Sequence, residues 1–85
     1  MNLTPNMKSE VHKNASNIKP GMKLFYTDSA WTGQYNVVSV DGGVAILWEV
    51  NEGYEDYLDL ESGQIGWKLA EKDRQDLVAL GVYNI

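Results

Sequence analysis

Gln34-Tyr35-Asn36-Val37-Val38-Ser39-Val40-Asp41-Gly42-Gly43-Val44-Ala45-Ile46-Leu47-Trp48-Glu49-Val50 holds two runs rich in β-branched residues around a turn dipeptide. Asp41-Gly42 suits a two-residue type I′ hairpin, whose two central residues both take positive φ. A loop of that length pairs Val40 with Gly43, Ser39 with Val44, Val37 with Ile46 and Tyr35 with Trp48. A second hairpin follows at Asn51-Glu52-Gly53, where the glycine supplies the left-handed position of a three-residue loop and Tyr54–Leu60 returns. That loop pairs Val50 with Tyr54, Trp48 with Asp56, Ile46 with Leu58 and Val44 with Leu60.

Paired residues share a sheet face. The expected core face therefore carries Val37, Val44, Ile46, Leu58 and Leu60, and ends in Tyr35, Trp48, Tyr54 and Asp56. The opposite face presents Asn36, Val38, Ala45, Leu47, Glu49, Glu55, Tyr57 and Asp59. On it Glu49 stands across from Glu55, an apposition of like charges that costs stability unless a bulge, a base such as Lys68, or a partner relieves it.

Outward from this meander, Met22–Asp28 reads as an earlier strand with Leu24 and Tyr26 on one face, and Gln64–Leu69 as a fifth strand after the Ser62-Gly63 turn. Asp73–Leu80 reads as a helix, with Asp73 and Asp76 at capping-box spacing and Gly81 just beyond its end. Residues 1–19 read as an arm or short helix. Thr4-Pro5 would open it, and Met7, Val11, Ala15 and Ile18 would form its apolar stripe. The expectation is one mainly β domain over residues 20–85, a strongly bent five-stranded barrel with a short C-terminal helix and an N-terminal arm.

The chain has 85 residues, no cysteine, one histidine and a formal net charge of −5. A chain of this length holds one core. Without cysteine there are no disulfides, zinc-finger thiolates or thiol nucleophiles. Residues 1–18 have no apolar run of signal-peptide length, and no stretch approaches a membrane span, so the expected location is the cytoplasm with no membrane contact. Four lysines face one acid in residues 1–23, whereas the remainder carries three bases against eleven acids. From Glu49 to Glu61 there are six carboxylates and no base. A field of that sign repels phosphate, which argues against direct nucleic-acid binding through the body and favours a basic protein partner.

The order of elements resembles the Tudor and SH3-like barrel group. The residues that carry the resemblance are Ile18-Lys-Pro-Gly21, the loop aromatic Trp31, Tyr35-Asn-Val-Val38, the Asp-Gly turn and Val44–Glu49; together they lie within residues 18–60. The resemblance implies an SH3-like barrel with an aromatic cage for methylated lysine or arginine at one end. Trp31, Tyr35, Trp48, Tyr54 and Asp56 fall where that cage forms, and cation–π attraction is its physical basis. Small acidic barrels of this size are also similar in type to bacteriophage-encoded accessory and host-inhibitor proteins.

Catalysis finds little footing. His12 has no cysteine or metal-spaced ligand near it in sequence, and a solvent-exposed position is expected for it. The glycines match turns and not a phosphate loop, and Asp56, Asp59 and Glu61 lack the geometry of a dedicated calcium loop. The expected function is therefore a non-enzymatic, cofactor-free and metal-free interaction module. Its face at Glu49, Glu52, Glu55, Tyr57 and Asp59 engages a basic protein surface, in the manner of an inhibitor or regulator of a nucleic-acid-binding protein. The alternatives are a cage reader and an oligomerising structural subunit.

Overall fold

The computed structural model describes residues 8–62 and 64–85. Five strands form one antiparallel sheet: β1 (Lys23–Thr27), β2 (Thr32–Asp41), β3 (Val44–Glu49), β4 (Tyr54–Asp59) and β5 (Trp67–Leu69). A single helical turn, α1 (Glu10–Lys13), precedes them with a 3₁₀ turn at Ala15–Asn17, and α2 (Glu71–Leu80) follows. The strand order is β4-β3-β2-β1-β5. This is the expected mainly β architecture, with one correction: β4 and β5 are the two edges, do not pair with each other, and leave the barrel unclosed.

The first hairpin is displaced by one residue from the sequence expectation. Asp41 pairs with Val44, so the turn residues are Gly42 and Gly43, at φ 57° and 81°. Two glycines meet the double positive-φ requirement better than Asp-Gly, which explains the choice. The register shifts again between Val37 and Ser39, where Val38 is the extra residue of a bulge on β2. The bulge lets Val37 and Val40 face the same side, against Leu47 and Ala45. The second loop spans residues 50–53, so Glu49 pairs with Tyr54 and Trp48 with Glu55.

The turn displacement moves each partner by two and keeps the face, so it is the bulge and the longer second loop that reverse the face of β3. Ala45, Leu47 and Glu49 point inward and are buried, whereas Val44 and Ile46 are only partly covered and Trp48 is 45% exposed. Alternation was read correctly on β1, β2 up to Val37, and β4: Leu24, Tyr35, Val37 and Leu58 are buried. The expected apposition of Glu49 and Glu55 does not exist.

The core joins Leu24, Tyr35, Val37, Ala45, Leu47, Leu58, Leu60, Trp67 and Leu69 to Leu77 of α2 and to Val11 and Ile18 of the N-terminal segment. The helix expected to open at Thr4-Pro5 has its observed N-cap at Ser9, whose Oγ accepts the His12 N–H; Thr4, Pro5 and Met7 lie outside the described residues. Its docking is polar as well as apolar. Glu10 accepts hydrogen bonds from the Leu69 N–H (2.7 Å), from Arg74 Nε (2.5 Å) and Nη2 (3.0 Å), and from the Tyr83 hydroxyl (2.6 Å). Burial alone would raise the Glu10 carboxyl, but these donors outweigh it and hold it at about 2. Asn14, fully buried, exchanges two bonds with the Asn84 backbone, at 2.9 and 2.7 Å, and Asn17 donates to Val82 O at 2.8 Å.

At α2 the Asp73–Asp76 box is not used. Ala70 is the N-cap without a side-chain bond, and Asp73 Oδ2 accepts instead from the Lys23 N–H at 2.8 Å. Gly81 ends the helix in the left-handed conformation, as its place in the sequence implied.

Candidate aromatic and acidic site

The unclosed side of the sheet holds a concavity of about 510 Å³. It lies between the free edge of β4 and the β1–β5 side, lined by Tyr26, Trp31, Tyr35, Tyr54, Tyr57 and Trp67 together with Glu52, Asp56 and Asp59, and by Leu58, Ser62 and Gln64. Six of these twelve residues are aromatic and three acidic, with no base among them, so the wall offers π faces under a negative field.

Each aromatic residue has an identifiable support. Tyr35 is buried, with its ring 5.1 Å from Trp67, and Tyr26 packs on the same indole at 5.0 Å. Gly33 makes room for Tyr35: a Cβ there would lie 2.6 Å from the tyrosine ring. Gly66, at φ 99°, does the same beside Tyr26, where a Cβ would meet the Thr27 carbonyl at 2.7 Å and the ring at 3.0 Å. Trp31 is fixed through its loop. Asp28 Oδ1 accepts from the Ala30 and Trp31 N–H groups, both at 2.7 Å, and the Asp28 N–H donates to Trp31 O at 2.9 Å. Tyr26 adds a hydroxyl bond to Asp28 Oδ2 at 2.5 Å, which with the two N–H donors lowers the Asp28 carboxyl below its usual range.

The hydroxyls form a short chain. Trp31 Nε1 donates to Tyr35 Oη at 3.2 Å, and Tyr35 Oη lies 3.5 Å from Tyr54 Oη. That contact, then burial and the charges of Asp56 and Glu49, push the Tyr54 hydroxyl well above the usual phenol range. Trp67, which is buried, has no described acceptor for its Nε1 hydrogen.

The expected cage of Trp31, Tyr35, Trp48, Tyr54 and Asp56 is corrected at one position. Trp48 stands on the outer face, opposite Asn36 and Glu55, while the other four do gather at the concavity. Tyr26 and Trp67 complete the wall and were not singled out from sequence. Their signals were the alternation of Tyr26 with Leu24 and the glycine preceding Trp67.

The expected acidic face of Glu49, Glu52, Glu55, Tyr57 and Asp59 also divides. Glu49 is fully buried, with Oε1 accepting from the Glu52 N–H at 2.5 Å and Oε2 from the Gln34 N–H at 3.3 Å, so its charge stitches a loop and is not offered to solvent. Glu52, Tyr57 and Asp59 line the concavity. Glu55 is exposed on the outer face and accepts the Tyr57 hydroxyl at 2.5 Å.

His12 is likewise not exposed. It is 4% accessible, with Nδ1 2.7 Å from Ser9 Oγ and Nε2 donating to Asp59 O at 3.1 Å. Burial lowers its pKa, only partly offset by the Asp59 carbonyl. Among the described residues no group of three metal-ligating side chains comes together, and no helix is long and apolar enough to cross a membrane. No family model, curated protein or solved structure gives a significant match to the chain.

Proposed function

We propose that this protein is an acidic binding module that holds a cationic side chain of a basic protein partner in the concavity walled by Tyr26, Trp31, Tyr35, Tyr54 and Trp67. One observation carries the reading: the aromatic residues share the lining of one opening with Glu52, Asp56 and Asp59, and no base is among the lining residues. A cation over aromatic faces gains about 0.5–2 kcal/mol, more when water is excluded, and the carboxylates supply the long-range attraction. A partner that itself binds nucleic acid carries the required positive charge, and occupation of its lysine or arginine side chains would block it. Methylated lysine or arginine is the second reading, supported by the excess of π surface over hydrogen-bonding carboxylate at the wall.

Tryptophan fluorescence, titrated with peptides carrying lysine, trimethyl-lysine or norleucine at one position, tests this. Saturation by the cationic peptides, weakened by salt and by Asp56→Asn, is expected. A preference for trimethyl-lysine favours the second reading. If norleucine binds as well as lysine, the cavity is merely apolar and the proposal fails.

A further inference from the structure

β4 is an edge strand whose backbone phase can be read from one bond. The Leu60 N–H donates to Gly43 O at 2.8 Å, which makes Ala45–Leu58, Leu47–Asp56 and Glu49–Tyr54 the hydrogen-bonded pairs of the ladder. The backbone groups of Glu55, Tyr57 and Asp59 therefore face away from the sheet, toward the side that holds the concavity. Two of these outward positions are occupied from within the molecule: Asp56 Oδ1 accepts the Tyr57 N–H at 2.8 Å, and Asp59 O accepts from His12 Nε2 and Ser62 Oγ. The N–H and C=O of Glu55, the C=O of Tyr57 and the N–H of Asp59 have no partner among the described residues.

An unpaired edge bordering a binding cavity is a template for strand addition. We propose that the basic partner binds as an extended segment that pairs with β4 and bears lysine or arginine at every second position. This rests on the cation-binding reading of the concavity and goes further by assigning the backbone its role. On an added strand, alternate side chains point inward beside Asp56 and Leu58, toward the aromatic wall, while those between them lie on the other face of the strand, beside Glu55 and beside Tyr57 and Asp59 at the rim of the concavity. Carboxylates thus meet cationic side chains inside, and Tyr57, 62% exposed, covers the others. Strand addition brings a carbonyl to the Tyr57 N–H and frees the Asp56 carboxylate for the incoming cation.

A second copy of the chain is a poor occupant. Antiparallel pairing of β4 with β4 about Tyr57 sets Glu55 of each copy opposite Asp59 of the other, and directly opposed like charges destabilise a ladder.

The probe is a short peptide in which lysine and threonine alternate, compared with the same peptide N-methylated on its threonine nitrogens and with its mirror pattern, N-methylated on the lysines. Methylation keeps every charge and removes one set of N–H donors. One of the two methylated peptides is expected to lose about tenfold or more in affinity while the other loses less, and the Glu55 and Asp59 amides gain hydrogen-exchange protection in the complex. Equal affinity of all three peptides with no added protection overturns strand pairing and leaves the cation site standing. No saturable binding of the unmodified peptide overturns both.

Discussion

Glu49 faces Tyr54 across the β3–β4 ladder and keeps its own carboxylate for the loop between them. The buried carboxyl group is partnered by N–H donors and not by a base, and its removal leaves the Glu52 and Gln34 amides without that acceptor. Glu49→Ala should cost about 2–4 kcal/mol in urea unfolding, from two buried amides left without an acceptor plus a small cavity. Glu55→Gln, on the exposed face, should move stability by less than about 0.5 kcal/mol. Equal effects from the two would mean that Glu49 is not held as described.

Trp48 and Trp67 should separate in the same way. Trp67 packs on two tyrosines within the core, so Trp67→Ala should destabilise by about 3–5 kcal/mol. Trp48→Ala should leave the fold intact and leave cationic-peptide binding intact as well, because Trp48 lies on the other side of the sheet from Tyr35. A Trp48→Ala protein that fails to fold would place the indole in the core and not on the outer face.

Gly33→Ala tests how the site is shaped. A methyl group 2.6 Å from the Tyr35 ring cannot be accommodated unless the ring moves, and the ring is coupled to Trp31 and Tyr54 through its hydroxyl. The variant should change tryptophan fluorescence and weaken cationic-peptide binding while the circular dichroism stays that of a folded β protein. Unaltered binding would show that Tyr35 does not set the wall.

Two groups should write themselves into the pH dependence of stability. His12 has a folded pKa below its ordinary 6.5, so the unfolded chain takes up the proton first; the contribution of the neutral, buried ring is complete above that range and declines as pH falls below it. Glu10 is lowered from 4.5 to about 2, so its ion pair contributes fully above 4.5 and is lost between 4.5 and about 2. Urea midpoints measured from neutral to acid pH should fall in two stages, the upper absent in His12→Gln and the lower reduced in Glu10→Gln. A flat profile in the wild-type chain would contradict both.

The strands and the C-terminal helix were legible because turn glycines and β-branched runs act locally. The face of β3 was not. Val44-Ala45-Ile46-Leu47-Trp48-Glu49 is apolar in both alternate sets, and the better-looking set, Val44, Ile46 and Trp48, is the outer one. A Gly-Gly turn in place of Asp-Gly moves each partner by two and keeps the face, whereas the bulge at Val38, which nothing nearby in the sequence announces, moves it by one and reverses it. Four of the five expected cage residues nevertheless gather at the concavity. Tyr35, Tyr54 and Asp56 lie on β2 and β4, whose inner faces were read correctly, and Trp31 is held by a loop whose Asp28 anchor is local. Tyr26 and Trp67 depend on β1 meeting β5 across some forty residues of chain, a long-range pairing that no local pattern encodes.

The clasp of Asn14 with Asn84, and of Glu10 with Arg74 and Tyr83, carries a consequence for how the chain is made. During synthesis the early segment leaves the ribosome well before residues 74–84, so its acceptors and donors must wait for groups not yet translated. The apolar cluster that holds Val11 and Ile18 is likewise completed late, by Trp67 and Leu69 of β5 and Leu77 of α2. The meander from β1 to β4 can assemble first, from contacts between sequence neighbours, and the step that seals the molecule is the late joining of its earliest and last described segments.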